Sequence, residues 1–128
     1  MITIGFSPER NADAQALVVP VAQGGLDALI LPLAQADLVK KTAGQLKFTG
    51  GAGALAGTYV TEGDSLFYVL LVGIGEGRES DLTISGGKVF TRLNGQNVTK
   101  ADVLADGFSG AGAAHFANGA LLRSWKIG

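Results

Sequence analysis

Residues 66–77 read LFYVLLVGIGEG, and this stretch decides the fold. An unbroken run of apolar and aromatic residues ends in three glycines at alternate positions. Such a run is typical of a β-strand that is buried on both faces. In α/β sheets, ligands usually bind beyond the carboxyl ends of the strands. The stretch therefore predicts an interior strand of an α/β sheet, with a candidate site at its glycines.

The residues just before this strand predict a β-hairpin. Residues 58–61 read TYVT, and every residue of this segment has strand propensity. Residues 62–65, EGDS, have the composition of a tight turn. Because the buried run follows the turn directly, we expect two antiparallel strands here, and the second of them is the buried one. The glycine-dense residues 48–57 ahead of the hairpin are interpreted as a linker.

The rest of the chain predicts strands and helices in alternation. Pro20 puts its end of a strand at a sheet edge or beside a bulge, and Pro32 suits the first turn of a helix. Gly86 and Gly87 weaken the second helix, because glycine costs backbone entropy there. This pattern predicts an α/β fold with helices on both faces of a mixed central sheet. The predicted strands are 2–6, 16–21 and 98–105, and the predicted helices are 32–46, 82–93 and 109–125.

Two of these helices have a recognisable packing face at helical spacing. The face of the first comprises Ala34, Leu38, Val39, Thr42, Ala43 and Leu46. The face of the last consists mostly of small residues, which allow close packing on a sheet: Ala113, Ala114, Phe116, Ala117, Ala120, Leu121 and Ser124.

Composition limits the class of protein. The chain has 128 residues, of which 47% are hydrophobic and 16% are charged, so we expect residues 1–128 to form a single folded domain. A surface with so few charges suits a domain that buries part of its exterior against another. The net charge of −1 and the scattered basic residues argue against nucleic-acid binding. The absence of cysteine excludes disulfides and thiolate metal sites.

The sequence is not expected to contain a signal peptide or a membrane span. The first residues, MITIGFSPER, lack the basic and apolar regions of a signal peptide. No apolar run approaches the roughly 20 residues that a membrane span needs. The sequence therefore predicts a cytoplasmic protein without membrane contact.

Gly73, Gly75 and Gly77 have two interpretations. Between a strand and a helix, backbone amides can bind phosphate, so the three glycines are candidate ligand-binding residues. However, the pattern is not G-x-G-x-x-G, no Lys-Ser/Thr pair follows, and Glu76 and Glu79 would repel a phosphate. The alternative is that the glycines allow a sharp exit from the strand and close approach of the next helix. We favour this second interpretation.

No catalytic residue emerges from the remaining polar side chains. His115 is the only histidine, is expected to be exposed, and has no second histidine or cysteine with which to hold a metal. Ser109 does not lie in a G-x-S-x-G motif and is interpreted as the cap of the last helix. Most of the 11 carboxylates fall at turns or helix starts. We therefore assign no catalytic and no metal-binding residue.

Three motifs occur in an order that resembles a known family. They are FTGGAG at 48–53, VLLVGIG at 69–75 and GALLRSWK at 119–126. Their order and spacing resemble the N-terminal domain of the leucyl (cytosol) aminopeptidases, which carries an F-x-G-x-x-G stretch and an LLVG-x-G strand exit. Members of the family usually continue with an aromatic-Asp pair, whereas this chain has Ile127–Gly128 at that point.

The resemblance implies a three-layer α/β/α fold similar to macro domains, and a non-catalytic role. In the family, two divalent metals, Mn or Zn, are held by a separate C-terminal catalytic domain with an NTDAEGR-type stretch. No such stretch occurs here, so no cofactor is assigned to this chain. The parent enzyme would release amino-terminal residues from peptides and would assemble as a hexamer. This domain would then serve assembly and limit access to the active site, with the catalytic domain as its partner.

Two alternatives stay open. One is a free-standing macro-like domain that binds ADP-ribose or a related nucleotide through Gly73, Gly75 and Gly77. The other is a structural interaction module, which is suggested by the low charge content.

Overall fold

The computed structural model describes residues 2–7 and 13–127. Strands and helices alternate through these residues in the predicted manner, with a short 3₁₀ turn at Ala105–Gly107 after the last strand. The elements are β1 (Thr3–Ser7), β2 (Ala16–Ala22), α1 (Ala36–Gln45), β3 (Leu55–Glu62), β4 (Ser65–Gly75), α2 (Glu79–Gly95), β5 (Lys100–Leu104) and α3 (Gly112–Ile127).

The described strands form one mixed sheet in the order β1-β5-β2-β4-β3. All neighbours are parallel except β3 and β4, which form the predicted antiparallel hairpin. Gly63 in its turn has φ 59°, a left-handed conformation that glycine adopts without steric cost. β3 begins at Leu55 rather than Thr58, so the end of the predicted linker belongs to the sheet.

One face of β4 contributes to a core beneath α1. Phe67, Val69 and Leu71 are buried there together with Val39 and Ala43 of α1. These positions alternate along the strand, because successive side chains of a strand point to opposite faces. α1 thus forms the first of three layers.

The opposite face of β4 contributes to a second core. Tyr68, Leu70 and Val72 are buried with Val89 of α2 and Phe116 of α3. The strand is therefore buried on both faces, and the sheet separates α1 from α2 and α3. The predicted three-layer α/β/α fold with a mixed central sheet is confirmed. Both helices that follow the hairpin lie on the same face, and α1 covers the other.

Pro20 lies at a point of β2 that has a described neighbouring strand on one side only, next to an irregularity in the register, as the sequence predicts. β2 pairs with β5 only from Ala16 to Val18, so at Pro20 the described strand has a single neighbour, β4. The register with β4 shifts between Val21 and Ala22. A residue without an N–H group is tolerated at this point because no ladder hydrogen bond is lost on the side without a neighbour.

α1 is shorter than predicted. It begins at Ala36, and Pro32 lies in a bend before it rather than in its first turn. The preceding segment is held by Lys40, whose ammonium group donates to the carbonyl oxygens of Asp27 (2.8 Å) and Leu29 (3.1 Å). These contacts keep the residues before the helix in a turn conformation.

The predicted apolar face of α1 is also wider than the observed one. Val39 and Ala43 are buried, whereas Leu38 is 47% exposed and Leu46, beyond the helix end, is 57% exposed. A helix of ten residues contacts the sheet along a narrow stripe, and leucines beside that stripe remain in solvent.

The other two helices differ from expectation at specific residues. α2 runs without interruption through Gly86 and Gly87. α3 begins at Gly112, so Ser109 lies three residues ahead of the helix and not at its cap. Pro8, which follows the first strand, and the final Gly128 lie outside the described residues.

Candidate functional site

The candidate ligand loop at the end of β4 is hydrogen-bonded to the glycine-rich segment before β3. The N–H group of Gly73 donates to the oxygen of Ala54 (2.8 Å), and that of Gly53 donates to the oxygen of Gly73 (3.0 Å). The N–H group of Gly75 donates to the oxygen of Gly50 (2.9 Å). We call residues 50–54 and 73–77 the glycine junction. Residues 50–54 are thus an ordered part of the sheet edge and not a loose linker.

Glycine is required in the junction because main chains approach one another closely. A Cβ atom on Gly73 would lie less than 3.0 Å from the oxygen of Gly51. A Cβ atom on Gly50 would clash in the same way with the oxygen of Ala22 at the end of β2. Three segments of backbone therefore meet at the carboxyl end of β4, with no room for a side chain at these two positions.

The amide groups of the loop are engaged within the protein. The N–H groups of Gly73, Gly75 and Gly77 donate to the oxygens of Ala54, Gly50 and Ile74, respectively. A phosphate would need some of these donors. The close-packing interpretation of the glycines agrees with this geometry, and their assignment as ligand-binding residues stays a prediction.

Asp81 occupies the position where an anion would bind at the start of α2. Its Oδ2 accepts from the backbone N–H groups of Glu76 (3.2 Å) and Arg78 (3.3 Å), and from Nε of Arg78 (3.3 Å). The carboxylate therefore caps α2 by accepting from its N-cap residue, Arg78, and from Glu76 in the loop just before it. Asp81 acts from the third residue of α2.

The environment of Asp81 favours its charged form. Desolvation alone would raise its pKa, but the backbone and guanidinium donors of Arg78 and the amide of Glu76 outweigh that effect. The pKa of Asp81 is therefore lowered from its usual value of 3.8. A lowered pKa is suited to a structural cap and not to a general acid, which must hold its proton near neutral pH.

Ser85 connects the glycine junction to α2. The side chain is fully buried, and its hydroxyl oxygen lies 2.6 Å from the oxygen of Gly73 and 2.7 Å from that of Asp81. It also accepts from the N–H group of Gly53 at 3.3 Å. In the sequence, the only signal of this role is the spacing of Ser85 from Leu82 and Val89 along the buried face of α2, and it was not among the candidate residues.

The other polar candidates lie apart from the junction. His115 is half-buried on α3 rather than exposed. Asp102 lies buried within β5, opposite Gly5 of β1, so it is not one of the carboxylates at turns or helix starts. Asp13 forms an ion pair with Lys100, whose hydrogen bond lowers the pKa of that carboxyl.

Residues 2–7 and 13–127 do not contain a metal site of the usual composition. No group of three or more histidine, cysteine, aspartate or glutamate side chains converges there in a way that could hold a metal ion. The residues of this part of the chain therefore do not fit the two divalent metals that the family resemblance implies. The described helices also include none that is long and apolar enough to cross a membrane.

A groove of about 730 Å³ lies over α2 and α3, next to the glycine junction, since a Cβ atom on Gly53 would lie 3.0 Å from Ile84 and 3.5 Å from Lys88 of its lining. Its walls include Lys88 and Arg92 of α2 and Arg123 of α3. Leu55, at the start of β3, closes it on one side. None of these residues was a candidate at the sequence level, because β3, α2 and α3 come together only in the folded chain.

Comparison with known proteins gives a match to a family by sequence and matches to solved structures. A sequence model described as "Cytosol aminopeptidase family, N-terminal domain" matches residues 26–128. A search of curated proteins found no match. Among solved structures, the chain is similar to a mutant of tomato leucine aminopeptidase, with a TM-score of 0.65 and 17% sequence identity. The similarity covers 97% of this chain and 28% of the tomato chain, and at this identity it shows a shared fold.

Proposed function

The chain belongs to the cytosol aminopeptidase family through its N-terminal domain, and on that premise we propose that it is the non-catalytic part of a metal-dependent leucyl aminopeptidase. The parent enzyme would release amino-terminal residues from peptides. Its chemistry would reside in a C-terminal catalytic domain holding two divalent metals, Mn or Zn. The family match over residues 26–128 is the observation that carries the proposal.

The contacts of the described carboxylates support a non-catalytic role for this domain. The carboxylates that could be read as site residues are engaged in structure: Asp81 caps α2, and Asp13 pairs with Lys100. The chain spans less than a third of the tomato protein that it resembles. Metals and catalytic groups would therefore be supplied by a part of the parent protein that is not in this chain.

Within the parent, we assign this domain to assembly and to control of access to the active site. Residues 1–128 would form one domain, docked on the catalytic domain of the same protein, in a cytoplasmic homo-oligomer that we expect to be a hexamer. The low proportion of charged residues, 16%, suits a domain whose surface is partly buried in such an assembly. Neither nucleic acid nor membrane is part of the proposal.

The first experiment tests whether residues 1–128 are catalytic without the rest of the parent enzyme. Leucine p-nitroanilide hydrolysis would be measured with MnCl₂ or ZnCl₂ for the 128-residue chain, the full-length parent and the parent lacking residues 1–128. We expect turnover from the two proteins that contain the catalytic domain and none from the chain alone. Turnover that scales with the concentration of the 128-residue chain would overturn the non-catalytic assignment.

The second experiment tests the role in assembly. The masses of the full-length parent and of the parent lacking residues 1–128 would be compared by analytical ultracentrifugation. We expect removal of the domain to reduce the oligomeric mass or to make it concentration-dependent. An unchanged oligomer would refute the assembly role, and a reading frame without a metal-binding motif downstream would refute the parent enzyme itself.

A further inference from the structure

The α2–α3 groove has a cationic lining. Lys88 and Arg92 lie four residues apart on α2, which places them on the same side of that helix, and Arg123 contributes from α3. None of the described residues that line the groove is acidic. In a chain whose net charge is −1, three cations without a neighbouring acid in the lining create a local positive potential.

Two of the cations are held in place by neighbouring side chains. Nε of Arg123 donates to the hydroxyl oxygen of Thr91 at 3.1 Å, which connects α3 to α2. Nη1 of Arg92 donates to the hydroxyl of Tyr68 at 3.3 Å. Neither contact neutralises the guanidinium charge, because both partners are uncharged hydroxyl groups. The two arginines are thus oriented but remain available to an anionic partner.

The same groove also exposes apolar side chains. Ile84 is 50% exposed and Leu122 is 44% exposed, and Leu55 is half-buried beside them. An amphipathic helix in a groove buries apolar residues of this kind while its polar positions meet the rim. A purely ionic ligand would leave Ile84 and Leu122 in solvent.

We propose that the α2–α3 groove is a docking site for an acidic amphipathic helix of a separate partner polypeptide. Leucine or similar residues of that helix would pack on Ile84 and Leu122, and its carboxylates would face Lys88, Arg92 and Arg123. This surface and its partner go beyond the aminopeptidase assignment, and the proposal does not depend on it.

A second copy of the chain does not provide such a helix. The acidic residues of the described helices are Asp37 in α1 and Glu79 and Asp81 in α2, and Asp81 is buried as a cap. Among the described helices, no face therefore carries a stripe of carboxylates that could match three cations. Nucleic acid is disfavoured because it would not cover the apolar part of the groove.

The test uses the 128-residue chain and two synthetic peptides. The acidic probe is a fluorescein-labelled helical peptide with glutamates at i, i+4 spacing beside a stripe of leucines, and the control peptide has glutamine in place of every glutamate. Binding is followed by fluorescence anisotropy at low and high salt. We expect the acidic peptide to bind more tightly than its control, and we expect added salt to reduce the difference, because exposed charge pairs are screened.

Charge reversal locates the binding surface. The double variant Lys88→Glu/Arg123→Glu should weaken binding of the acidic peptide by about tenfold, since each reversal replaces an attraction with a repulsion. A matched control, Lys41→Glu/Lys47→Glu, makes the same change in net charge around α1, on the opposite side of the sheet, and should leave the affinity unchanged. Thermal unfolding checks that both variants fold, and Lys88→Gln/Arg123→Gln replaces the first variant if it does not.

Three results would overturn the proposal. The first is equal binding, or no binding, of the two peptides at up to millimolar concentration. The second is an equal loss of affinity in both double variants, because the attraction would then depend on total charge and not on the groove. The third is displacement of the acidic peptide by a single-stranded oligonucleotide at lower concentration than by unlabelled peptide, which would make the groove a nucleic-acid site.

Discussion

Gly86 of α2 lies directly against the main chain of Phe116 in α3. A Cβ atom on Gly86 would approach the carbonyl oxygen of Phe116 to less than 3.0 Å, and one on Gly119 would do the same to the carbonyl oxygen of Thr83. The two helices therefore touch backbone to backbone at a pair of glycines, one on each helix. Their contact fixes how α3 lies beside α2, and with it the shape of the groove between them.

The first prediction concerns this crossing. Gly86→Ala should lower the free energy of unfolding by about 1–3 kcal/mol, because the added methyl group has no space and the helices must separate. The gain in helix propensity from glycine to alanine, at most about 1 kcal/mol, opposes but does not cancel this loss. Urea denaturation followed by circular dichroism would measure the difference.

The neighbouring residue provides the control. A Cβ atom on Gly87 would lie 3.5 Å from the oxygen of Gly119, which is an ordinary contact. Gly87→Ala should therefore raise the free energy of unfolding by about 0.5–1 kcal/mol through helix propensity alone. If both variants were stabilised to the same extent, the close contact at Gly86 would be contradicted.

The second prediction concerns the buried hydroxyl of Ser85. Ser85→Ala should lower the free energy of unfolding by about 1–2 kcal/mol, because it removes a hydrogen-bond partner from Gly53 and Gly73 inside the protein. Ser80→Ala, at an exposed position in the first turn of the same helix, should change it by about 0.5 kcal/mol or less. Equal effects of the two substitutions would show that the Ser85 contacts contribute nothing.

The third prediction concerns ligand binding at the glycine junction. Titration of the chain with ADP-ribose at millimolar concentration, followed by calorimetry, should give no heat of binding. The reason is that the N–H groups of Gly73, Gly75 and Gly77 already donate to carbonyl oxygens, and Asp81 occupies the anion position beside them. A saturable heat would contradict this expectation and would restore the loop as a nucleotide site.

The hairpin and the buried strand were predictable because their signals are local. The apolar run up to Val72 requires burial on both faces, and the turn residues at 62–65 lie between two strand-forming segments. Nothing from elsewhere in the chain is needed to interpret either feature. The predicted hairpin follows from these local patterns, whereas the three-layer order was implied by the family resemblance.

The features that sequence reasoning missed depend on contacts between distant segments. From sequence alone, Gly86 is expected only to weaken α2, because its contact with α3 forms only in the folded chain. The glycines of residues 50–54 are likewise interpreted as a linker, because their hydrogen bonds to β4 form only in the folded chain. Ser85 and Asp102 are buried polar residues, and their sequence neighbours do not reveal which backbone groups surround them. The start of α1 was misplaced for a similar reason, because Lys40 holds the preceding turn through two carbonyl oxygens.

The last prediction concerns the pH dependence of stability. Because the pKa of Asp81 is lower in the folded protein than its usual value of 3.8, the unfolded chain takes up a proton at this group first as pH falls. The stabilisation from the charged carboxylate is therefore present above about pH 4 and is lost as pH falls through the folded-state pKa. Asp81→Asn removes the titrating group but keeps its size. At neutral pH this variant should therefore have a lower free energy of unfolding than the unsubstituted 128-residue chain. Urea denaturation at a series of pH values should show this gap narrowing below about pH 4, while carboxylates common to both proteins cancel in the difference. A gap that stays constant down to about pH 2.5 would mean that the charge of Asp81 does not stabilise the start of α2.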